Sequence, residues 1–143
     1  LQVFRDALQL DPQNAATNHA VGTVLFQLGD TTAAIQFLDR AVQLEPRSAS
    51  YHLDAGVAHS LTRPDRALGL WQRATELDST VVNAHRYIAY AAQDLGDTTL
   101  ALTHWNALRS LNITDGKGVE EGARAMLDLG DTAAAADWVK TYL

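Results

Sequence analysis

The stretch LGDTTAAIQFLDRAVQLEP, residues 28–46, decides the fold of this 143-residue chain, because the triplets at both of its ends recur. The first triplet, Leu-Gly-Asp, returns at residues 95–97 and 129–131. Both triplets, the first and the last of this stretch, recur with the same period of about 34 residues and lack the same residue, near residues 61–65. The chain is therefore an internal repeat. The last triplet and its counterparts follow one another at steps of 34, 33 and 34 residues: Leu10-Asp11-Pro12, Leu44-Glu45-Pro46, Leu77-Asp78-Ser79 and Leu111-Asn112-Ile113.

Each repeat predicts two helices joined by short turns. Apolar side chains recur every three or four positions, as in Val21, Val24 and Leu28, and no stretch alternates as a strand would. The glycine of each Leu-Gly-Asp suits the position after a helix end, where φ is often positive. The aspartate that follows suits the N-cap of the next helix. Nine helices are predicted, near residues 1–10, 13–28, 31–44, 48–61, 64–77, 80–95, 98–111, 116–129 and 132–143.

A two-helix unit of this length resembles the tetratricopeptide repeat, whose pattern is Trp-x-x-Leu-Gly-x-x-Tyr, then Ala-x-x-x-Phe, an alanine and a proline. The resemblance covers the chain and implies one all-α domain, an α-solenoid of antiparallel helix pairs in a right-handed superhelix. Residues 15–48, 49–81 and 82–115 match as full units, residues 116–143 as a partial unit, and residues 1–14 as the second helix of a preceding unit. The matching residues in the first full unit are Asn18, Val21-Gly22, Leu25, Ala34, Leu38, Ala41 and Pro46.

The small residues inside the helices have a packing reason. Glycine in a helix costs about 1 kcal/mol relative to alanine, so Gly22 and Gly56 call for an explanation. We expect them, with Ala34 and Ala41, to let the two helices of a repeat approach closely, while larger residues such as Leu38 fill the layer between neighbours.

The two ends of the chain lack a polar capping helix, which repeat arrays need for solubility. We therefore expect a fragment of a longer array. The residues expected to be partly uncovered are Leu1, Phe4, Trp138, Val139, Tyr142 and Leu143.

The composition excludes several classes of function. The net charge is −6 and no basic block occurs, which argues against a nucleic-acid partner. The apolar runs are far shorter than the roughly 18 residues that cross a bilayer. The absence of cysteine excludes disulfides, thiolate catalysis and cysteine-ligated metals, and it leaves the compartment open.

No constellation of residues predicts catalysis, a metal site or a cofactor. The five histidines show neither His-Glu-x-x-His nor a spacing of i, i+4. His52 and His59 share a helix face, but His52, like His85, stands where the family has tryptophan and is expected to pack. No Gly-x-Ser-x-Gly occurs, and the glycines of residues 114–118 lack the phosphate-loop pattern. Trp71 and Trp105 hold the same place in successive repeats and are predicted to pack. Trp138, one residue out of that register, is predicted to pack near an end.

The surface left for function is the inner face of the repeats. In proteins that the chain resembles, the first helix of each repeat lines a groove that holds an extended or helical peptide. Its apolar middle marks an interaction surface, and two arginines beside it favour a peptide that carries a carboxylate. The alternative is that Leu53 and Val57 only pack on neighbouring helices. Carried over by position, the groove-lining residues are His19, Thr23, Phe26, Leu53, Val57, Arg86, Tyr90 and Arg124.

We therefore predict a non-catalytic scaffold that binds a protein or peptide segment in this groove, without cofactor, metal, nucleic acid or membrane insertion. Asp54, expected to be exposed, would repel the carboxylates of a chaperone tail, which argues against that class of partner. Two alternatives stay open. One is a substrate-orienting repeat segment of a larger enzyme or polysaccharide-export protein, and the other is a repeat module that forms homo-oligomers through uncapped ends.

Overall fold

A computed structural model describes residues 9, 11–112 and 116–143 of the chain. In that part of the chain the secondary structure consists of eight α-helices, without strands, and every helix boundary lies within two residues of its prediction. The ninth predicted helix, near residues 1–10, lies outside the described residues except for Gln9. The helices are α1 (Ala15–Gln27), α2 (Thr31–Leu44), α3 (Ala49–His59), α4 (Pro64–Leu77), α5 (Val82–Asp94), α6 (Thr98–Ser110), α7 (Gly116–Asp128) and α8 (Thr132–Tyr142).

The Leu-Gly-Asp turns have the predicted geometry. Gly29 and Gly96 follow the ends of α1 and α5 with φ of +86° and +74°, a region that residues with a Cβ rarely enter. The carboxylates of Asp30 and Asp97 accept hydrogen bonds from backbone N–H groups in the first turns of α2 and α6, at 3.1 and 3.0 Å. Each turn thus ends one helix and begins the next, as predicted.

Removal of a cap should cost measurable stability. We expect Asp97→Ala to lower the free energy of unfolding by about 1 kcal/mol in urea titrations, because the N–H of Leu100 loses its partner. Asp94→Ala removes the same charge from an exposed site on α5 and should leave the stability unchanged or slightly higher. Equal losses in the two variants would contradict the capping role.

The described helices pack as antiparallel pairs in two compact units, Leu1–Ser79 and Thr80–Leu143. Unit 1 contains the pairs α1–α2 and α3–α4, and unit 2 contains α5–α6 and α7–α8. The single repeat domain over residues 1–143, with its unit boundaries, stays a prediction. None of the helices in residues 11–112 and 116–143 has the length and hydropathy needed to cross a membrane.

Close approach of paired helices explains the glycines of unit 1. A Cβ built on Gly22 would lie 2.6 Å from Cγ of Leu38, so the leucine occupies the space that the glycine leaves open. The same leucine packs on Ala55 and Ala58 of α3 and thereby also fills the layer between neighbouring pairs. A Cβ on Gly56 would overlap the indole of Trp71 in the same way.

In the pair α7–α8 of unit 2, a glycine again leaves space for a large side chain of the partner helix, but both residues stand at shifted positions of the repeat. Trp138 is 1% exposed and its indole lies over Gly122. The prediction that Trp138 would be partly uncovered is therefore wrong, and its packing role is confirmed. Val139, Tyr142 and Leu143 are exposed, at 40%, 52% and 96%.

Candidate functional site

The eight predicted groove residues stand 9, 13 or 16 residues after the leucine that marks the start of each repeat, and these offsets are called the ninth, thirteenth and sixteenth positions. His19, Leu53 and Arg86 stand at the ninth position, and Phe26 stands at the sixteenth. None of the eight is buried: Tyr90 and Arg124 are exposed and the other six are half-buried. Five of them lie in unit 1 and three in unit 2. The residues at the thirteenth position are Thr23, Val57, Tyr90 and Arg124.

In unit 1 the first helices of two repeats are joined by a polar contact. Nε2 of His19 on α1 lies 2.6 Å from Oδ2 of Asp54 on α3, and the His19 ring stacks on Tyr51 with centroids 4.6 Å apart. The hydroxyl of Thr23 donates to the carbonyl of His19 at 2.9 Å. Asp54 is half-buried, with 38% of its side chain exposed, and its carboxylate is paired with His19, so the expectation of an exposed Asp54 is met only in part.

The apolar side chains of unit 1 are divided between packing and solvent. Phe26 packs on the cluster around Leu38, Ala55 and Ala58, so part of its ring belongs to the core. Leu53 and Val57 on α3 are half-buried, which leaves part of each side chain accessible. The packing alternative thus accounts for some of this surface and leaves an apolar remainder on α3.

In unit 2 the faces of α5 and α7 line an open cavity of about 220 Å³ beside Tyr90. The Tyr90 ring is 40% exposed and meets Trp105 edge-on, with centroids 5.2 Å apart and planes at 87°. Its hydroxyl donates to the carboxylate of Glu121. Burial and this hydrogen bond raise the pKa of Tyr90 above its ordinary value of 10.0, against an opposing effect of Arg86. Tyr90 is therefore a neutral, oriented ring at the cavity wall.

The cavity carries more negative than positive charge, which the sequence analysis missed. The guanidinium of Arg124 lies 2.7 Å from the carboxylate of Glu120, one turn earlier on α7, so its charge is compensated. Glu121 and Asp128 also line the cavity. A signal for Glu121 existed, since it stands at the tenth position of its repeat, as Asp54 does in unit 1.

Three further polar contacts join helices inside a unit. Nε2 of His59 lies 3.0 Å from the carboxylate of Asp39, which also accepts from Arg66 at 3.0 Å. In unit 2, Nδ1 of His85 lies 2.8 Å from Nδ1 of His104. These contacts tie neighbouring helices together.

The histidines predicted to pack do so. His52 and His85 are 6% and 7% exposed, and Nδ1 of His52 lies 2.9 Å from the carbonyl of Ser48. Across the described ranges no group of three or more histidine, aspartate or glutamate side chains is placed to hold a metal ion.

Comparison with known proteins agrees with this architecture. A family model described as the tetratricopeptide repeat matches residues 1–55. The crystal structure of MamA superposes with a TM-score of 0.83 at 20% identity, over 99% of this chain and 83% of that one. Residues 1–55 thus match the tetratricopeptide-repeat family model, and the described helices share the fold of MamA. The predicted fold class, an all-α helical repeat of the solenoid type, is confirmed.

Two other solved tetratricopeptide-like structures share the fold. YrrB, described as a TPR protein with an unusual peptide-binding site, has a TM-score of 0.82 at 17% identity, over 94% of this chain and 70% of that one. PilF of Pseudomonas aeruginosa has a TM-score of 0.81 at 19% identity, over 94% of this chain and 62% of that one.

Curated relatives also match in sequence. The cellulose synthase 2 operon protein C of Komagataeibacter xylinus is 26% identical over 141 residues, which is 94% of this chain. The chain spans only 11% of the length of that relative.

Proposed function

We propose that this chain is a protein-interaction scaffold of the tetratricopeptide-repeat type, which holds a peptide segment against the first helices of its repeats. It carries out no chemistry of its own in this proposal. The groove residues offered to a ligand are Phe26, Leu53 and Val57, with His19 and Thr23, in unit 1, and Tyr90, with Arg86 and Arg124, in unit 2.

The observation that carries the proposal is the accessible apolar surface at equivalent repeat positions. Val57 and Tyr90 stand at the same position of successive repeats, and neither is buried. The part of an apolar side chain that faces solvent adds little to the stability of its own repeat, whereas exposed apolar surface is typical of interaction sites. The peptide-binding site named for YrrB, which shares the fold, is consistent with this use.

Selection of peptides from a random display library on the purified chain tests the proposal. We expect the selected peptides to lose about 1–2 kcal/mol of binding free energy with Tyr90→Ala, and a similar amount with Leu53→Asp, because each change removes an apolar anchor. Titration calorimetry measures the affinity, and helical circular dichroism checks that each variant is folded.

Matched controls exist for both changes. Leu61→Asp places the same charge on a leucine that is 84% exposed in the turn after α3, and Tyr142→Ala removes a tyrosine that is 52% exposed on α8. Both controls should bind like the original chain. Peptides that are sensitive to the controls and insensitive to Leu53→Asp and Tyr90→Ala would contradict the groove.

The curated relative favours a second candidate function. Its name refers to a cellulose synthase operon, and its similarity runs over nearly the whole of this chain. In this alternative the chain is a repeat segment of a longer protein of polysaccharide synthesis or export and orients its substrate there. The genomic sequence around the coding segment discriminates between the two functions: further repeats beside a polysaccharide synthase gene would favour the alternative.

The alternative of a repeat module that forms homo-oligomers predicts a sedimentation coefficient that rises with protein concentration.

A further inference from the structure

We propose that the cavity between α5 and α7 selects a lysine or arginine side chain of the bound peptide. This inference rests on the proposed function and names the chemistry of its ligand in unit 2. It replaces the acidic peptide that Arg86 and Arg124 favour in the sequence with a basic one.

The wall of the cavity suits a cation. The Tyr90 ring presents 40% of its surface and is oriented by its edge contact with Trp105. An ammonium or guanidinium group over the face of an aromatic ring is attracted by the ring quadrupole. The cavity volume of about 220 Å³ is suited to the end of one long side chain rather than to a folded element.

The charges around the ring determine the sign of the ligand. The cavity is lined by three carboxylates, those of Glu120, Glu121 and Asp128, and by one guanidinium, that of Arg124. The guanidinium is already paired with Glu120. Glu121 accepts from the Tyr90 hydroxyl and has a distant ion pair, at 3.8 Å, with Lys117.

Asp128 supplies the charge that a ligand can use. Among the described residues its carboxylate makes neither a hydrogen bond nor an ion pair, so it is available to a ligand at the rim. Gln93 lines the cavity without charge, and its amide oxygen accepts a hydrogen bond from the indole N–H of Trp105 at 3.1 Å. A carboxylate ligand would meet repulsion from Glu121 and Asp128, whereas a basic side chain meets these two carboxylates and an aromatic face, which outweigh the one opposing charge of Arg86 near Tyr90.

The test uses the peptides selected by display and swaps one residue in each. We expect a lysine or arginine to recur at one position of the selected peptides. Replacing an arginine by citrulline, which has nearly the same shape without the charge, should weaken binding to the original chain about five- to twentyfold. The same swap should change the affinity less than twofold for the double variant Glu121→Gln, Asp128→Asn.

The matched control is Asp94→Asn, which removes one exposed carboxylate from α5 outside the cavity. This variant should keep the full effect of the citrulline swap. A citrulline effect that is equally large in the double variant would overturn the inference. Selected peptides that require Tyr90 but carry acidic or neutral residues at this position would overturn it and leave the scaffold proposal standing. If no selected peptide is sensitive to Tyr90→Ala or Leu53→Asp, both proposals fail.

Discussion

Replacement of Gly56 by alanine is expected to lower the free energy of unfolding by about 2–3 kcal/mol, although alanine is the better helix former. A Cβ at this position would overlap the indole of Trp71, and the ring is fixed there because its N–H donates to the carbonyl of Leu53 at 3.3 Å. The added methyl group must displace the ring and break this hydrogen bond. Urea titrations followed by circular dichroism measure the loss.

Gly69 on α4 is the matched control, because it belongs to the same helix pair. A Cβ on Gly69 meets no atom within 4 Å, so Gly69→Ala should raise the stability by about 0.5–1 kcal/mol through helix propensity alone. Opposite signs for the two glycines distinguish close packing from propensity. Gains in both variants would rule out the tight contact between Gly56 and Trp71.

The next repeat indicates how the stability lost in Gly56→Ala could be recovered. Ala89 stands at the position of Gly56, and there the indole N–H of Trp105 donates to the side chain of Gln93 rather than to a helix carbonyl. The residue equivalent to Gln93 in the earlier repeat is Ser60. We expect Ser60→Gln to recover part of the stability lost in Gly56→Ala, because it offers the displaced indole the same acceptor.

The helices and turns were predictable because their determinants are local. The positive φ of Gly29 and the cap of Asp30 depend on neighbours within three residues, and the sequence repeats them. Burial of Trp138 depends on two shifts that compensate each other. Gly122 and Trp138 each stand one residue before the glycine and the large residue of the first repeat, so the glycine still faces the large side chain. Each shift is visible in the sequence, but the contact between the glycine and the tryptophan is kept only because both shifts occur together.

For the candidate site, the exposure of side chains was easier to predict than their charge. The repeat period predicts that Tyr90 on α5 faces solvent, and the structure leaves it 40% exposed. The i, i+4 spacing of Glu120 and Arg124 was open to view in the sequence and predicts their ion pair, whereas the pairing of His19 with Asp54 depends on the approach of two helices and could not be read from spacing. Adjacent glutamates at 120–121 argue against a catalytic pair, yet both line one cavity.

Acid should destabilise unit 2 through His104. Burial, and then the neighbouring His85, lower the pKa of His104 from 6.5 to about 4, while its pKa in the unfolded chain stays near 6.5. The unfolded state therefore takes up a proton first as the pH falls. The stabilising contribution is complete above pH 6.5, declines between pH 6.5 and 4, and is absent below pH 4. A shift of this size corresponds to about 3 kcal/mol.

Fluorescence isolates this unit, because Trp71 lies in unit 1 while Trp105 and Trp138 lie in unit 2. In a Trp71→Phe background, the free energy of unfolding, obtained from urea titrations between pH 7 and pH 4, should fall steeply. The fall should be about 3 kcal/mol smaller after His104→Gln, which removes the titrating group and keeps a polar partner for His85. His104→Phe offers a second variant, since Phe37 fills the equivalent place in the first repeat. Both variants should share the flatter pH dependence whatever their stability at pH 7, and an unchanged slope in both would show that the histidine contact does not govern the acid response.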